Sequence, residues 1–199
     1  KNFLTPSMLA KFNLNSPFSD YYFSGFQNEI LNIILEGDLD LDLDPLERET
    51  LVESLKPRTR LDNADIIDHM SDNLIGSSYA ELIEAMIKLI AKVRGSNETK
   101  YCGFHENWTI EMFPALARNF SSAKFIIVLR DPRAVLASEM AVSPELRSSL
   151  LSYIRGIRKL FNLSMYYLGR DIFKNRLAIV TYEELVRKPE DVSNKLCEF

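Results

Sequence analysis

The sequence predicts an α/β protein, a parallel β-sheet flanked by helices, with a largely helical first half. Three observations carry this prediction. Lys124–Leu129 (K-F-I-I-V-L) and Arg176–Thr181 (R-L-A-I-V-T) are continuous β-branched and aromatic runs, as expected of strands buried on both faces. Helical patterns separate the two runs, as crossover connections between parallel strands require. Before about residue 98 the patterns are instead helical or irregular.

Composition bounds the rest. The 199 residues carry 24 Lys+Arg against 28 Asp+Glu, a net charge of −4. With 46% hydrophobic and 26% charged residues the balance is that of a globular chain long enough for a sizeable core. One domain is expected over 1–199, with 1–98 mainly helical and 99–199 the α/β part. No apolar run approaches the roughly 18–20 residues of a membrane helix, and Lys1–Ala10 has no signal-peptide pattern. Two cysteines, Cys102 and Cys197, exclude a disulfide scaffold and a Cys-rich zinc site, and no metal is expected. The acidic balance argues against wrapping duplex nucleic acid but permits one local phosphate pocket.

In the first half, Phe18–Leu35 is aromatic and apolar at near-helical spacing, and Gly37 stops it. Asp38–Asp44 alternates Asp and Leu. Aspartate disfavours strands, and the segment lacks the central glycine and closing glutamate of a calcium loop, so a solvated acidic loop is expected. Asp44-Pro45-Leu46-Glu47 reads as a helix start, with Asp as cap, Pro at the first position and Glu at the third. Pro57 should stop that helix at Lys56. Ser78 caps an amphipathic helix to Val93, with Leu82, Ile83, Met86, Ile87, Leu89 and Ile90 on or near one stripe and Gly95 beyond its end.

In the second half a short strand is expected at Lys100–Phe104, a helix at Glu111–Phe120 and the first buried strand at Lys124–Leu129. A helix opens at Asp131-Pro132 and runs to about Val142. Pro144–Lys174 is helical with possible breaks at Gly156 or Gly169. The second buried strand, Arg176–Thr181, precedes helices at Tyr182–Val186 and Pro189–Phe199.

The stretch that carries chemistry is Lys124–Ser138. Ligands of open parallel sheets sit beyond the carboxyl ends of the strands, so Arg130 is delivered to the ligand edge. Asp131 caps the next helix, and Ser138 lies two turns along it. An arginine fork and a hydroxyl near a helix N-terminus suit a phosphate dianion. The plainer alternative pairs Arg130 with a nearby carboxylate and makes Ser138 a small packing residue.

This stretch resembles the 3′-phosphate-binding motif of sulfotransferases that use 3′-phosphoadenosine 5′-phosphosulfate (PAPS), in which a strand ends in Arg and a Ser follows eight residues later. The resemblance implies that Arg130 and Ser138 hold the 3′-phosphate. Arg133 is commonly present in that motif, and here a helix-surface arginine is the plainer reading. Two flanking segments are also similar to the family. Cys102-Gly103-Phe104-His105-Glu106-Asn107-Trp108 resembles the polar segment near the transferred sulfuryl group. Ile179-Val180-Thr181-Tyr182-Glu183-Glu184-Leu185-Val186, followed by Lys188-Pro189-Glu190, resembles the family's strand-to-helix "YEEL" segment, whose tyrosine lies near the adenine in some members. Tyr182 is therefore a candidate cofactor contact, the alternative being a buried aromatic at the sheet edge.

The resemblance implies a P-loop-like α/β fold, PAPS as sulfuryl donor and PAP as product. The acceptor would be a small molecule, carbohydrate or peptide that offers a hydroxyl or amine. Sulfuryl transfer needs a base for the acceptor proton. His105 is the first candidate and Glu106 the second, each of which could instead be a satisfied polar residue at a strand end. Phe18, Tyr21, Tyr22, Phe23 and Phe26 fall where the family binds its acceptor, although aromatics at this spacing are more often core. The family's Gly- and Ser/Thr-rich loop for the 5′-phosphosulfate is not recognisable. Asn73–Ser78 is the nearest stretch and lacks both a preceding strand and a basic residue. The expectation is an incomplete sulfotransferase domain cut from a longer chain. The competing readings are a non-catalytic PAP-binding or interaction domain and another phosphate-handling enzyme such as a kinase. The Asn-X-Ser/Thr matches at Asn97, Asn107, Asn119 and Asn162 read mostly as coincidence, which leans toward a cytoplasmic setting without excluding the Golgi lumen.

Overall fold

The computed structural model describes residues 36–40, 42–105, 110–142 and 150–199. The chain forms two compact units, one over Asp38–Asn107 and the other containing Trp108–Phe199. The aromatic segment Phe18–Leu35 lies outside the described residues.

The first unit is helical. α1 spans Pro45–Asp62, α2 Ala64–Asn73 and α3 Tyr79–Arg94. Asp44 caps α1 as its sequence predicts. Its carboxylate accepts from Leu46 N–H at 2.8 Å and Glu47 N–H at 2.9 Å, and Glu47 reaches back to Asp44 N–H at 3.3 Å. The expected stop at Pro57 does not occur, and α1 continues to Asp62 with the proline inside it. Proline removes one helical hydrogen bond and crowds the turn before it, a cost of about 3 kcal/mol that packing can offset. α1 packs on α2, with Val52 buried among Ile66, Met70, Leu74, Leu82 and Leu89.

Ser78 caps α3 by accepting from Glu81 N–H at 3.3 Å. Leu82 and Leu89 of the predicted stripe are buried, and Met86 and Ile90 pack against the same core. Gly95 ends the helix, its N–H donating to the Ala91 carbonyl at 2.8 Å. A Cβ there would run into the Ala91 carbonyl oxygen and meet Thr99 Oγ1 at 3.0 Å, so close approach requires glycine. The acidic segment is a loop whose leucines are not all solvated. Leu39 is buried, Leu43 N–H donates to Ser77 O, and Asp42 bridges to Ser78.

The strand expected at Lys100–Phe104 is absent. The segment has no regular structure, and Tyr101 and Phe104 are exposed. Its composition suits a strand, but among the described residues no neighbour supplies a ladder.

The second unit holds the sheet. α4 (Phe113–Asn119) follows a short 3₁₀ turn at Ile110–Met112. β1 (Phe125–Leu129) leads to α5 (Pro132–Val142) and α6 (Leu150–Leu168), then β2 (Leu177–Thr181), α7 (Tyr182–Arg187) and α8 (Pro189–Glu198). α6 runs through Gly156 and ends just before Gly169. β1 and β2 pair in parallel, Phe125 against Leu177 through Leu129 against Thr181. The intervening helices make this the predicted crossover.

β1 is not buried on both faces. Phe125, Ile127 and Leu129 point inward, whereas Ile126 and Val128 are each 47% exposed. Among the described residues helices and loops cover one face only. Under that face Phe125, Phe173 and Tyr167 form an aromatic chain, with centroids 5.5 Å and 4.9 Å apart. Arg176 closes the end of α4, donating to the Ala117, Phe120 and Ala123 carbonyls.

Within this core lies a buried ion pair, Lys159 Nζ to Glu111 Oε1 at 2.7 Å, with both side chains at least 94% shielded from solvent. It ties α6 to the 3₁₀ turn before α4. Tyr167 is fully buried beside it, and its hydroxyl has no hydrogen-bond partner among the described residues. Burial, reinforced by the Glu111 carboxylate, pushes that phenol well above its ordinary range.

Candidate functional site

The register of the sheet builds the site. Leu129 lies opposite Thr181, so the next residue on each strand emerges at the same edge. Those residues are Arg130 and Tyr182. The Arg130 guanidinium lies over the Tyr182 ring, 4.7 Å from its centroid. Tyr182 is 42% exposed, so it is a surface platform at the strand end and not the buried aromatic of the alternative reading. Arg130 is half-buried, and its Nε is shielded from water with no hydrogen-bond partner among the described residues. A shielded N–H without an acceptor is a standing cost, and an anion accepting from the guanidinium offsets it.

One residue further, the ladder is continued by a side chain. The Glu183 carboxylate accepts from Asp131 N–H at 2.9 Å. That bond holds the Glu183 carboxyl below its ordinary range, and the positive charge of Arg130 adds to the effect. Thr181 caps α7 by accepting from Glu184 N–H at 3.2 Å. Glu183 belongs to the segment singled out in the sequence but had no role there. Only the long-range register reveals that it faces Asp131.

Asp131 starts α5, accepting from Arg133 N–H at 2.8 Å. Arg133 is 89% exposed and pairs with the Asp131 carboxylate, which the guanidinium draws down to about 2. It is thus the helix-surface arginine of the plainer reading. Ser138 is exposed on α5, two turns beyond Asp131.

His105 is exposed in the first unit, whereas Arg130, Ser138 and Tyr182 belong to the second. Glu106, Asn107 and Trp108 lie outside the described residues. His69 is exposed on α2. At Asn73–Ser78 the Ser77 N–H and hydroxyl both donate to Glu81, at 2.6 and 2.9 Å, so this turn is satisfied by a carboxylate and is not an anion cradle. The described residues contain no cluster of metal-ligating side chains and no helix long and apolar enough to cross a membrane.

Two parallel strands joined by a helical crossover, with an arginine on an aromatic ring at their carboxyl ends, give this unit an α/β architecture. The chain belongs to the sulfotransferase family, whose model matches residues 35–199. It is similar to the protein-tyrosine sulfotransferase of Drosophila melanogaster, with 28% identity over 155 residues that cover 76% of this chain and 29% of that protein. The chain therefore spans less than a third of that relative's length. No solved structure matches it. The small parallel sheet with flanking helices fits an α/β sulfotransferase fold.

Proposed function

We propose that this chain carries the donor-binding part of a PAPS-dependent sulfotransferase with a P-loop-like fold, whose acceptor is a tyrosine of a protein or peptide. The observation that carries the reading is Arg130. It stands at the carboxyl end of β1, stacked on Tyr182, with a shielded Nε that has no acceptor among the described residues. A 3′-phosphate fits that guanidinium, since a phosphate oxygen supplies the acceptor that the described residues do not. The Ser138 hydroxyl, farther along α5, is the second phosphate donor. Tyr182 holds the guanidinium from one side and offers its exposed ring to the adenine. The tyrosine acceptor is supported by the similarity to the protein-tyrosine sulfotransferase.

PAPS, when bound, supplies the sulfuryl group for in-line displacement by the acceptor oxygen. His105 takes the acceptor proton as general base, and Glu106 is the alternative. Holding the donor by a phosphate remote from sulfur turns binding energy into orientation.

The test is incubation with PAPS and a tyrosine-containing peptide, followed by mass spectrometry. Sulfotyrosine from the wild type, and its loss in His105→Ala with nucleotide binding intact, is the expected result. PAP binding without any sulfated product would contradict catalysis by this chain and favour the non-catalytic nucleotide-binding domain.

A further inference from the structure

We infer that Glu183 is a positioning residue of the 3′-phosphate site, acting through the backbone N–H of Asp131. The inference rests on the proposed reading of Arg130 as the phosphate contact. Along the sheet, each residue of β1 pairs with the β2 residue 52 positions later, from Phe125–Leu177 to Leu129–Thr181. The same offset continues beyond the strands. Arg130 stacks on Tyr182, and Asp131 N–H donates to the Glu183 carboxylate. The backbone ladder ends there because β2 turns into α7 at Tyr182. Glu183 replaces the next rung with its side chain and so fixes the peptide that follows Arg130.

Two consequences follow from its chemistry. As an acceptor, Glu183 holds the turn that sets the direction in which Arg130 leaves the sheet. As an anion, it works against a second anion placed beside Arg130, whose charge it already feels. Its value to the site is therefore geometric, and it persists when the charge is removed but the acceptor is kept. A residue serving by its charge would behave in the opposite way. Glutamine separates the two, because its amide oxygen can still accept from Asp131 N–H.

The experiment is calorimetric titration of adenosine 3′,5′-bisphosphate and adenosine 5′-monophosphate into the wild type, Glu183→Ala and Glu183→Gln, with folding checked by circular dichroism. The wild type should prefer the bisphosphate. Glu183→Ala should bind the bisphosphate about tenfold more weakly while monophosphate affinity stays within about twofold. Glu183→Gln should stay within about twofold of the wild type for both. If the alanine variant does not fold, Glu183→Asp, whose carboxylate is one methylene too short for the rung, carries the same expectation. The inference is overturned if Gln loses as much as Ala, if the acceptor-deleting variant leaves the preference intact, or if it weakens both nucleotides equally. A wild type with no preference for the bisphosphate overturns the Arg130 reading itself, which is a distinguishable result.

Discussion

The Arg130 guanidinium lies 4.7 Å from the centre of the Tyr182 ring, at the carboxyl ends of two strands paired in parallel. The two residues are 52 positions apart and meet only because Leu129 is in register with Thr181. The stack restricts a long, flexible side chain to one face of the site, so less of its freedom remains to be lost on binding an anion.

Tyr182→Phe should leave PAP affinity nearly unchanged, because the ring is the platform. Tyr182→Ala should weaken it by about 0.5–2 kcal/mol, the range of a cation–π contact. Titration calorimetry of the two variants measures this, and equal losses would assign the effect to the hydroxyl.

The Lys159–Glu111 pair is a structural commitment of the second unit. Lys159→Met leaves a buried carboxylate without its cation and should destabilise the protein by about 3–5 kcal/mol in urea unfolding. Adding Glu111→Leu to that variant should recover much of the loss, since removing both charges also removes their desolvation cost. A double variant as unstable as the single one would show that the pair itself supplies the stability.

Gly95→Ala should destabilise the first unit by about 1–3 kcal/mol, because the new methyl runs into the Ala91 carbonyl at the end of α3. Thermal unfolding followed by circular dichroism checks this. An unchanged midpoint would mean that the turn after α3 relaxes freely.

Acid should weaken the start of α5. The Asp131 carboxyl falls from its ordinary 3.8 to about 2 in the folded chain, chiefly through the hydrogen bond from the Arg133 side chain. A depressed carboxyl contributes stability that is present above its unfolded pKa and is lost as pH falls through the folded one. The gap in unfolding midpoint between the wild type and Asp131→Asn should therefore be constant above about pH 5 and close between about pH 4 and 2. A gap that does not change over this window would contradict the assignment.

Much of this was legible in the sequence because local chemistry decided it. The two β-branched runs became β1 and β2, Asp44 and Ser78 became caps, and Arg130 was delivered to the strand end. Signals that depend on distant partners were misread or unreadable. Lys100–Phe104 has strand composition but no ladder to join among the described residues. Pro57 marked a helix end, yet α1 continues through it to Asp62. The runs of β1 and β2 suggested burial on both faces, yet Ile126 and Val128 face outward. No local pattern marks Glu111 and Lys159 as the buried pair they form in the core. The meeting of Arg130 with Tyr182, and of Asp131 with Glu183, needs a register that no local pattern specifies.

The most direct test of the site is the affinity of the wild type and Arg130→Ala for adenosine 3′,5′-bisphosphate and adenosine 5′-monophosphate, measured by calorimetry. The wild type should prefer the bisphosphate, and Arg130→Ala should lose about 1.5–3 kcal/mol of its binding while the monophosphate is little affected. Equal affinity for the two nucleotides in the wild type, or an unchanged preference in Arg130→Ala, would contradict the Arg130 reading.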